Sequence, residues 1–370
     1  MKRQTCLMIL MVMVLAGSVS GQIIFGQPAS GNPQFVYSHW TLTDVLGNET
    51  TISQSYLPIA GFVPLRDNLE ATIFIANSSS AMEVAGLENT VSGLTDARIQ
   101  VSQALSNDRI LISGGLNLPT GKTKLDFVEE WGVIELLSQD FLDFPVRRLG
   151  EGFGFNLLVG GATKVGDFRV GGGAMYRYAG EYQPYEQSGD YDPGDVFSVN
   201  GGGDLHKGSM TWSANIVYTA YATDKLDGVK TFKQSQQLAL SASGVHKGDP
   251  VTISGWISWI GRGNNTFYDT TETILSELKL YGDEFTFGAA ATFELSGDWR
   301  ITPSAKLRLI SENEISIGSS DVIALGMAAG KNFNENISAQ AGFTYFSGSA
   351  YDDLIDLSGY QLSFGLLAAF

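Results

Sequence analysis

Apolar and polar side chains take turns along much of this chain. Phe285, Phe287, Ala289, Ala291, Phe293 and Leu295 alternate with Thr286, Gly288, Thr292 and Glu294. Trp299, Ile301, Pro303, Ala305, Leu307 and Leu309 then alternate with Arg300, Thr302, Ser304, Lys306 and Arg308. The same rhythm closes the chain, where Tyr360, Leu362, Phe364, Leu366, Ala368 and Phe370 occupy one face. A period of two predicts strands with one greasy and one polar side. A soluble sandwich and a membrane barrel both satisfy that pattern, so the connections have to decide between them.

They alternate in length. Short turns at Ser106-Asn107-Asp108, Gly166-Asp167, Lys207-Gly208, Lys247-Gly248-Asp249, Gly297-Asp298 and Asn334-Glu335-Asn336 are separated by long polar connections at 119–152, 181–195, 223–232, 262–284, 311–319 and 348–357. Two of the short turns, around His206-Lys207-Gly208 and His246-Lys247-Gly248, are near copies one hairpin apart. Tight turns at one end and long loops at the other are the signature of an outer-membrane barrel. The expected fold is therefore all-β, a transmembrane antiparallel up-and-down β-barrel over 34–370. Counting strands from 34–46 to 358–370 gives sixteen, or fourteen if the first two are a plug. Residues 271–281 are left out of the count, because Ile274, Leu275 and Leu278 have helical spacing and read as a short helix in a loop. Aromatics near strand ends predict two interfacial girdles: Tyr176, Tyr178, Tyr218, Tyr221, Trp256, Trp259, Tyr345 and Phe346 in the upper, and Phe168, Trp212, Phe285, Trp299 and Phe370 in the lower.

Composition fits a barrel better than a soluble domain. Of 370 residues 44 are glycine and only 17% are charged, and Phe, Tyr and Trp number 21, 14 and 6. Lys2 and Arg3, the apolar run Cys6–Leu15 and Ser18-Val19-Ser20 form the three regions of a secretory signal peptide over 1–20, followed by a lead-in at 21–33. The single cysteine, Cys6, leaves the mature chain without a disulfide. A net charge of -16 argues against nucleic acid as a partner. The expected location is the bacterial outer membrane, with lipid and lipopolysaccharide as surroundings. Tyr360, Phe364 and Phe370 resemble the C-terminal signal read by the barrel-assembly machinery and are expected to serve as it.

Motifs for chemistry are sparse. Gly121-Lys122-Thr123 ends like a phosphate loop, but the first glycine of that motif would fall on Leu116. His39, His206 and His246 lack metal-ligand spacing, and no serine sits in a nucleophile elbow. No catalytic residue, cofactor or metal is expected, and acidic clusters such as Asp352, Asp353 and Asp356 read as solvated loop surface with a possible role toward divalent ions. The polar strand faces say more. Arg169, Arg177, Glu294, Arg300, Lys306 and Arg308 fall on the inner side and predict a wet, pore-lining surface. The connection 119–152 carries more apolar groups than an external loop requires. It is expected to fold inward, with Phe127, Trp131, Phe141 and Phe144 lining a gate or pocket.

Gly93-Leu94-Thr95-Asp96, a strand, the Asn107-Asp108 turn, another strand and Leu116-Asn117-Leu118-Pro119-Thr120-Gly121 together resemble the pattern of outer-membrane proteins grouped with phenol-degradation (meta-pathway) transporters, distantly like the long-chain fatty-acid transporters. The resemblance implies a channel or transporter for small apolar or amphipathic molecules. A structural or adhesion barrel without transport, and a general porin, are the alternatives. Residues 21–33 are too short for the N-terminal hatch of the fatty-acid transporters.

Overall fold

The computed structural model describes residues 28–314 and 318–370, so the signal peptide and most of the lead-in lie outside the described residues. The chain forms a closed antiparallel barrel of sixteen strands. In chain order these are β1 Ser30–Asp44, β2 Glu49–Arg66, β3 Leu69–Val84, β4 in two pieces (Leu87–Leu94 and Ala97–Leu105), β5 Ile110–Leu118, β6 Gly154–Val165, β7 Phe168–Ala179, β8 Val196–Lys207, β9 Met210–Tyr221, β10 Gln237–Lys247, β11 Val251–Arg262, β12 Glu284–Leu295, β13 Trp299–Ile310, β14 Ser320–Asn332, β15 Ile337–Ala350 and β16 Ile355–Ala369. Every strand pairs with its sequence neighbour, and β1 closes the sheet on β16 from Ser30↔Ala369 to Asp44↔Ile355. The first strand begins at Ser30, inside the segment expected to be a flexible lead-in.

The alternation does what the sequence demands. On β12 and β13, Phe287, Phe293, Leu295, Trp299, Ile301 and Leu309 stand exposed on the outer face. The facing positions Glu294↔Arg300, Thr286↔Arg308 and Gly288↔Lys306 share the inside. Some aromatics differ from the expected girdles. Phe285 opposes Trp259 at the loop end, which puts it in the upper girdle. Tyr221, Trp256 and Phe346 sit on inward positions of their strands, and Phe346 stacks on the buried Trp40 at 4.8 Å.

Strands β6 to β13 are 11 or 12 residues long, about what a tilted strand needs to cross a bilayer. β1 to β3 and β14 to β16 run 13 to 18 residues and rise beyond it as a collar. There the amphipathicity inverts. Lower on β2 the outward residues are Leu57, Ile59, Val63 and Leu65, whereas near the loop end the outward ones are Thr51, Ser53 and Ser55, and Ile52 is wholly buried inside. β1 repeats the switch, from outward Phe35 to inward Trp40 and Leu42. The side of a strand that meets lipid is apolar, and the side of a collar that meets water is polar.

Three loops at this end add a second sheet of five short strands: Tyr191–Asp192, Thr223–Leu226, Val229–Lys233, Asn265–Tyr268 and Ile274–Leu278. The last of these replaces the helix expected over 271–281. It pairs with Asn265–Tyr268 across a register shift, leaving Ile274 and Leu275 exposed rather than on a helix face. The connection expected at 348–357 is a tight turn at 351–354, because β15 and β16 stay paired up to Ala350↔Ile355.

Candidate functional site

The connection between β5 and β6 turns into the barrel mouth, and its two ends are fixed by one carboxylate. At Thr95-Asp96, β4 holds one residue more than the facing stretch of β3, a bulge that breaks the strand and swings Asp96 out of the ladder. Asp96, 6% exposed, accepts hydrogen bonds from Gly121 N at 2.9 Å, Glu151 N at 2.8 Å and Asn117 Nδ2 at 2.9 Å. Its own backbone N–H donates to Leu149 O at 3.0 Å. Thr120 Oγ1 donates to Thr95 O at 3.0 Å and accepts from Ala97 N at 2.8 Å. Gly121 has to be glycine, since a Cβ there would meet Leu149 O at 2.3 Å. The two halves of the recognised sequence pattern, around Asp96 and around Thr120-Gly121, are thus partners in one clamp.

Asp96→Ala removes the acceptor for three donors, two of them half-buried, and a lost hydrogen bond to a charged group costs about 1.5–3 kcal/mol. The expected result is faster proteolytic cleavage within 119–152 in the D96A protein, with the heat-modifiable gel mobility of the folded barrel unchanged.

Beyond the clamp the segment forms one short helix, α1 Trp131–Leu137, and a 3-10 turn at Asp140–Leu142. Val133, Ile134 and Leu137 are buried, as are Phe141, Leu142, Phe144 and Val146, in a cluster with the collar residues Trp40, Leu42, Ile52, Val322, Ala350 and Leu357. The collar's inverted faces exist to receive this segment. Gln54 on β2 locks it by a reciprocal pair, Nε2 to Val146 O at 2.7 Å and Val146 N to Oε1 at 3.1 Å. Among the four aromatic candidates, Phe141 and Phe144 are core. Trp131 is half-buried and packs with Tyr185, and Phe127 is 57% exposed, away from any inner pocket.

The tip of the segment reaches the opposite wall, since β5 and β13 are diametric in a ring of sixteen. Lys306 Nζ lies 3.1 Å from Asp143 Oδ2 and Arg308 Nη1 lies 3.7 Å from Asp143 Oδ1. Arg262 on β11 lies 3.6 Å from Asp140 Oδ2, and Arg308 also donates to the Asp140 carbonyl. Glu284 completes the network, accepting from Arg308 Nε at 2.8 Å and Nη2 at 3.0 Å. Taking such charges out of water costs several kcal/mol per ion unless each is matched. Arg147, on the segment itself, lies 2.7 Å from Asp140 Oδ1, so four cations face three carboxylates. Burial alone raises the Asp143 pKa, but Lys306 and Arg308 outweigh it and hold the carboxyl below its usual range.

The remaining inward residues stand elsewhere. Arg300 faces Glu294 in register and donates to Asn332 Oδ1 at 3.4 Å. Arg169 sits between Lys164 and Asp204 in register near the short-turn end, and Arg177 opposes Asn156. Arg98, Arg169 and Arg177 form no ion pair among the described residues. So Lys306 and Arg308 of the expected pore lining are spent on the loop, where Asp140, Asp143 and Glu284 pair with them and with Arg262, and Arg169 and Arg177 keep their charge unmatched among the described residues. The inner wall from β6 to β8 is bare at mid-height, where Gly160↔Gly173 and Gly171↔Gly202 face one another across the ladders on the lumenal side. The 119–152 segment narrows one side of the lumen, and the glycine wall leaves the other side wide.

Tyr360, Phe364 and Phe370 all point outward, Tyr360 beside Tyr37 and His39 and Phe370 fully out at the chain end. Asp352 caps a turn, accepting from Ser319 N at 2.8 Å. Among the described residues no group of three or more His, Cys, Asp or Glu side chains is placed to hold a metal.

Solved structures share this architecture. A bacterial polysaccharide outer-membrane secretin matches with a TM-score of 0.50 at 14% identity, covering 93% of this chain and 99% of that one. The high-pH structure of Pseudomonas putida OprB matches at 0.50 and 11%, covering 93% and 94%. A Pseudomonas aeruginosa FadL homologue reaches 0.46 at 9%, covering 93% and 90%, too distant to support an argument. At these identities the likeness is one of fold: the chain has the closed β-barrel architecture of outer-membrane proteins. No protein-family model matches it, and no curated protein matches it by sequence.

Proposed function

We propose that the protein is a non-catalytic outer-membrane channel for small apolar or amphipathic molecules, with 119–152 as a constriction and gate. The observation that supports this most is the latch of Asp140 and Asp143 on Arg262, Lys306 and Arg308. A barrel serving only structure or adhesion has no use for a segment carried across its lumen and ion-paired to the far wall. The bare wall of β6 to β8 beside it leaves a path. In this reading the long-loop end faces outward and the short turns and both termini face the periplasm. The resemblance to the phenol-degradation group is consistent with it, because the residues that carry the resemblance are the ones that anchor the gate.

Swelling of liposomes holding the purified protein tests the reading. Uptake is expected for phenol-sized amphipathic solutes and to fall off for sugars of larger size. No uptake of any solute supports the structural alternative, and equal uptake regardless of polarity supports a general porin.

The latch also gives the channel a pH response. A carboxylate with a depressed pKa stabilises the latched state fully above the unfolded value near ~4, and loses that contribution as pH falls through the folded value. Conductance in planar bilayers should be flat from neutral pH down to ~4 and rise only below it. Salt should shift the rise upward, since Asp143 is 53% exposed and its pairs are screened.

A further inference from the structure

Below the seat of Val146, the inner wall from β2 to β7 carries polar groups that the gate does not use, next to Tyr56, whose ring packs against the underside of the gate's core. Phe74 is in register with Ala60 on β2 and Arg98 on β4, and its neighbour Ile73 stands outward, so Phe74 and Arg98 share the lumenal face. Tyr56 lies two inward positions above Ala60 on the same strand. The next inward position below Arg98 is Gln100, and the ladder runs from it through Gly115 and Asn156 to Arg177. Asn156 lays its amide over Gly115, where a Cβ would meet it at 2.5 Å.

Arg98 and Arg177 thus flank a glycine and an amide at nearly one height, on strands three spacings apart, about 14 Å. That gap is one that two long side chains can close onto a small molecule. Arg262, Lys306 and Arg308 each have a carboxylate partner. Arg98 and Arg177 have none among the described residues, and Arg98 stands open to the lumen in register with Phe74. A guanidinium fork matches a carboxylate with two parallel hydrogen bonds.

We propose that Arg98, Asn156 and Arg177, with Tyr56 and Phe74, form a lumenal binding station for small organic carboxylates that bear an apolar group. This rests on the channel reading and names its substrate class. The carboxylate sits on Arg98 and reaches toward Asn156 and Arg177, and the apolar part lies on Phe74 and Tyr56.

Equilibrium titration calorimetry on the full folded protein in detergent tests it, with benzoate as probe and benzyl alcohol as its neutral counterpart. Benzoate should bind at least about tenfold more tightly, and Arg98→Gln should weaken benzoate about tenfold or more while leaving benzyl alcohol unchanged. Phe74→Ala should weaken both. Lys164→Gln, which removes a lumenal charge away from the station, should change neither by more than about twofold. No benzoate binding, equal binding of the two probes, or an equal loss in K164Q and R98Q overturns the proposal. If R98Q fails to fold, Arg177→Gln is read in the same way. Binding does not depend on conduction, so a protein that conducts without binding benzoate refutes the station alone, and one that never conducts refutes the channel.

Discussion

Replacing residues 122–152 by a short Gly-Ser linker should convert a poorly conducting barrel into an open channel, with single-channel conductance rising several-fold. The segment fills one side of the mouth through Val133, Leu137, Phe141, Leu142 and Phe144 and is pinned at Gln54, Arg308 and Lys306. Removing it also uncovers Trp40, Leu42, Ile52 and Leu357 on the collar. Each such side chain loses about 1.5–3 kcal/mol of burial, so the collar should fray while β6 to β13, which do not depend on it, keep the barrel closed. Lumenal Arg98, Arg169 and Arg177 would then give the open form a preference for anions, read as a reversal potential under a salt gradient. Unchanged conductance would show that the segment stands clear of the conducting path.

The second large effect concerns the outer face. Ala289 lies midway along β12 between Phe285 and Phe293 and faces lipid, whereas Thr292 faces inward and shares a hydroxyl hydrogen bond with Thr302 at 3.0 Å. Ala289→Arg should cost about 2–4 kcal/mol near the bilayer midplane. Thr292→Arg should cost about 1 kcal/mol or less, one neutral hydrogen bond, beside Glu294. Urea unfolding of the folded barrel in lipid bilayers reads the difference. Equal costs would mean that the register is off by one residue, which turns every side chain to the other face.

Strands such as β12, β13 and β16 were legible because lipid on one side and water on the other impose the same alternation along their whole length. β1 and β2 were harder, since their apolar residues change sides between Phe35 and Trp40 and between Ile52 and Leu57, a switch that follows the bilayer edge and not the chain. Residues 271–281 misled through spacing: Ile274, Leu275 and Leu278 fit a helix, but they lie at the margin of a small sheet where two of them remain exposed. The inward turn of 119–152 could be read from its apolar content. Its latch could not, because Asp140 and Arg308 are 168 positions apart and no spacing links them. Asp96 was visible as part of a motif, and only the bulge at Thr95-Asp96 shows why a carboxylate stands there.

Single-channel recording of wild type beside an Asp140→Asn, Asp143→Asn double variant tests the gate most directly. The wild type should show low conductance at neutral pH and brief openings that lengthen below pH ~4. The variant, with the ion pairs to Arg262, Lys306 and Arg308 removed at every pH, should remain open at neutral pH and lose the acid response. Identical conductance and identical pH dependence in the two proteins would contradict the account.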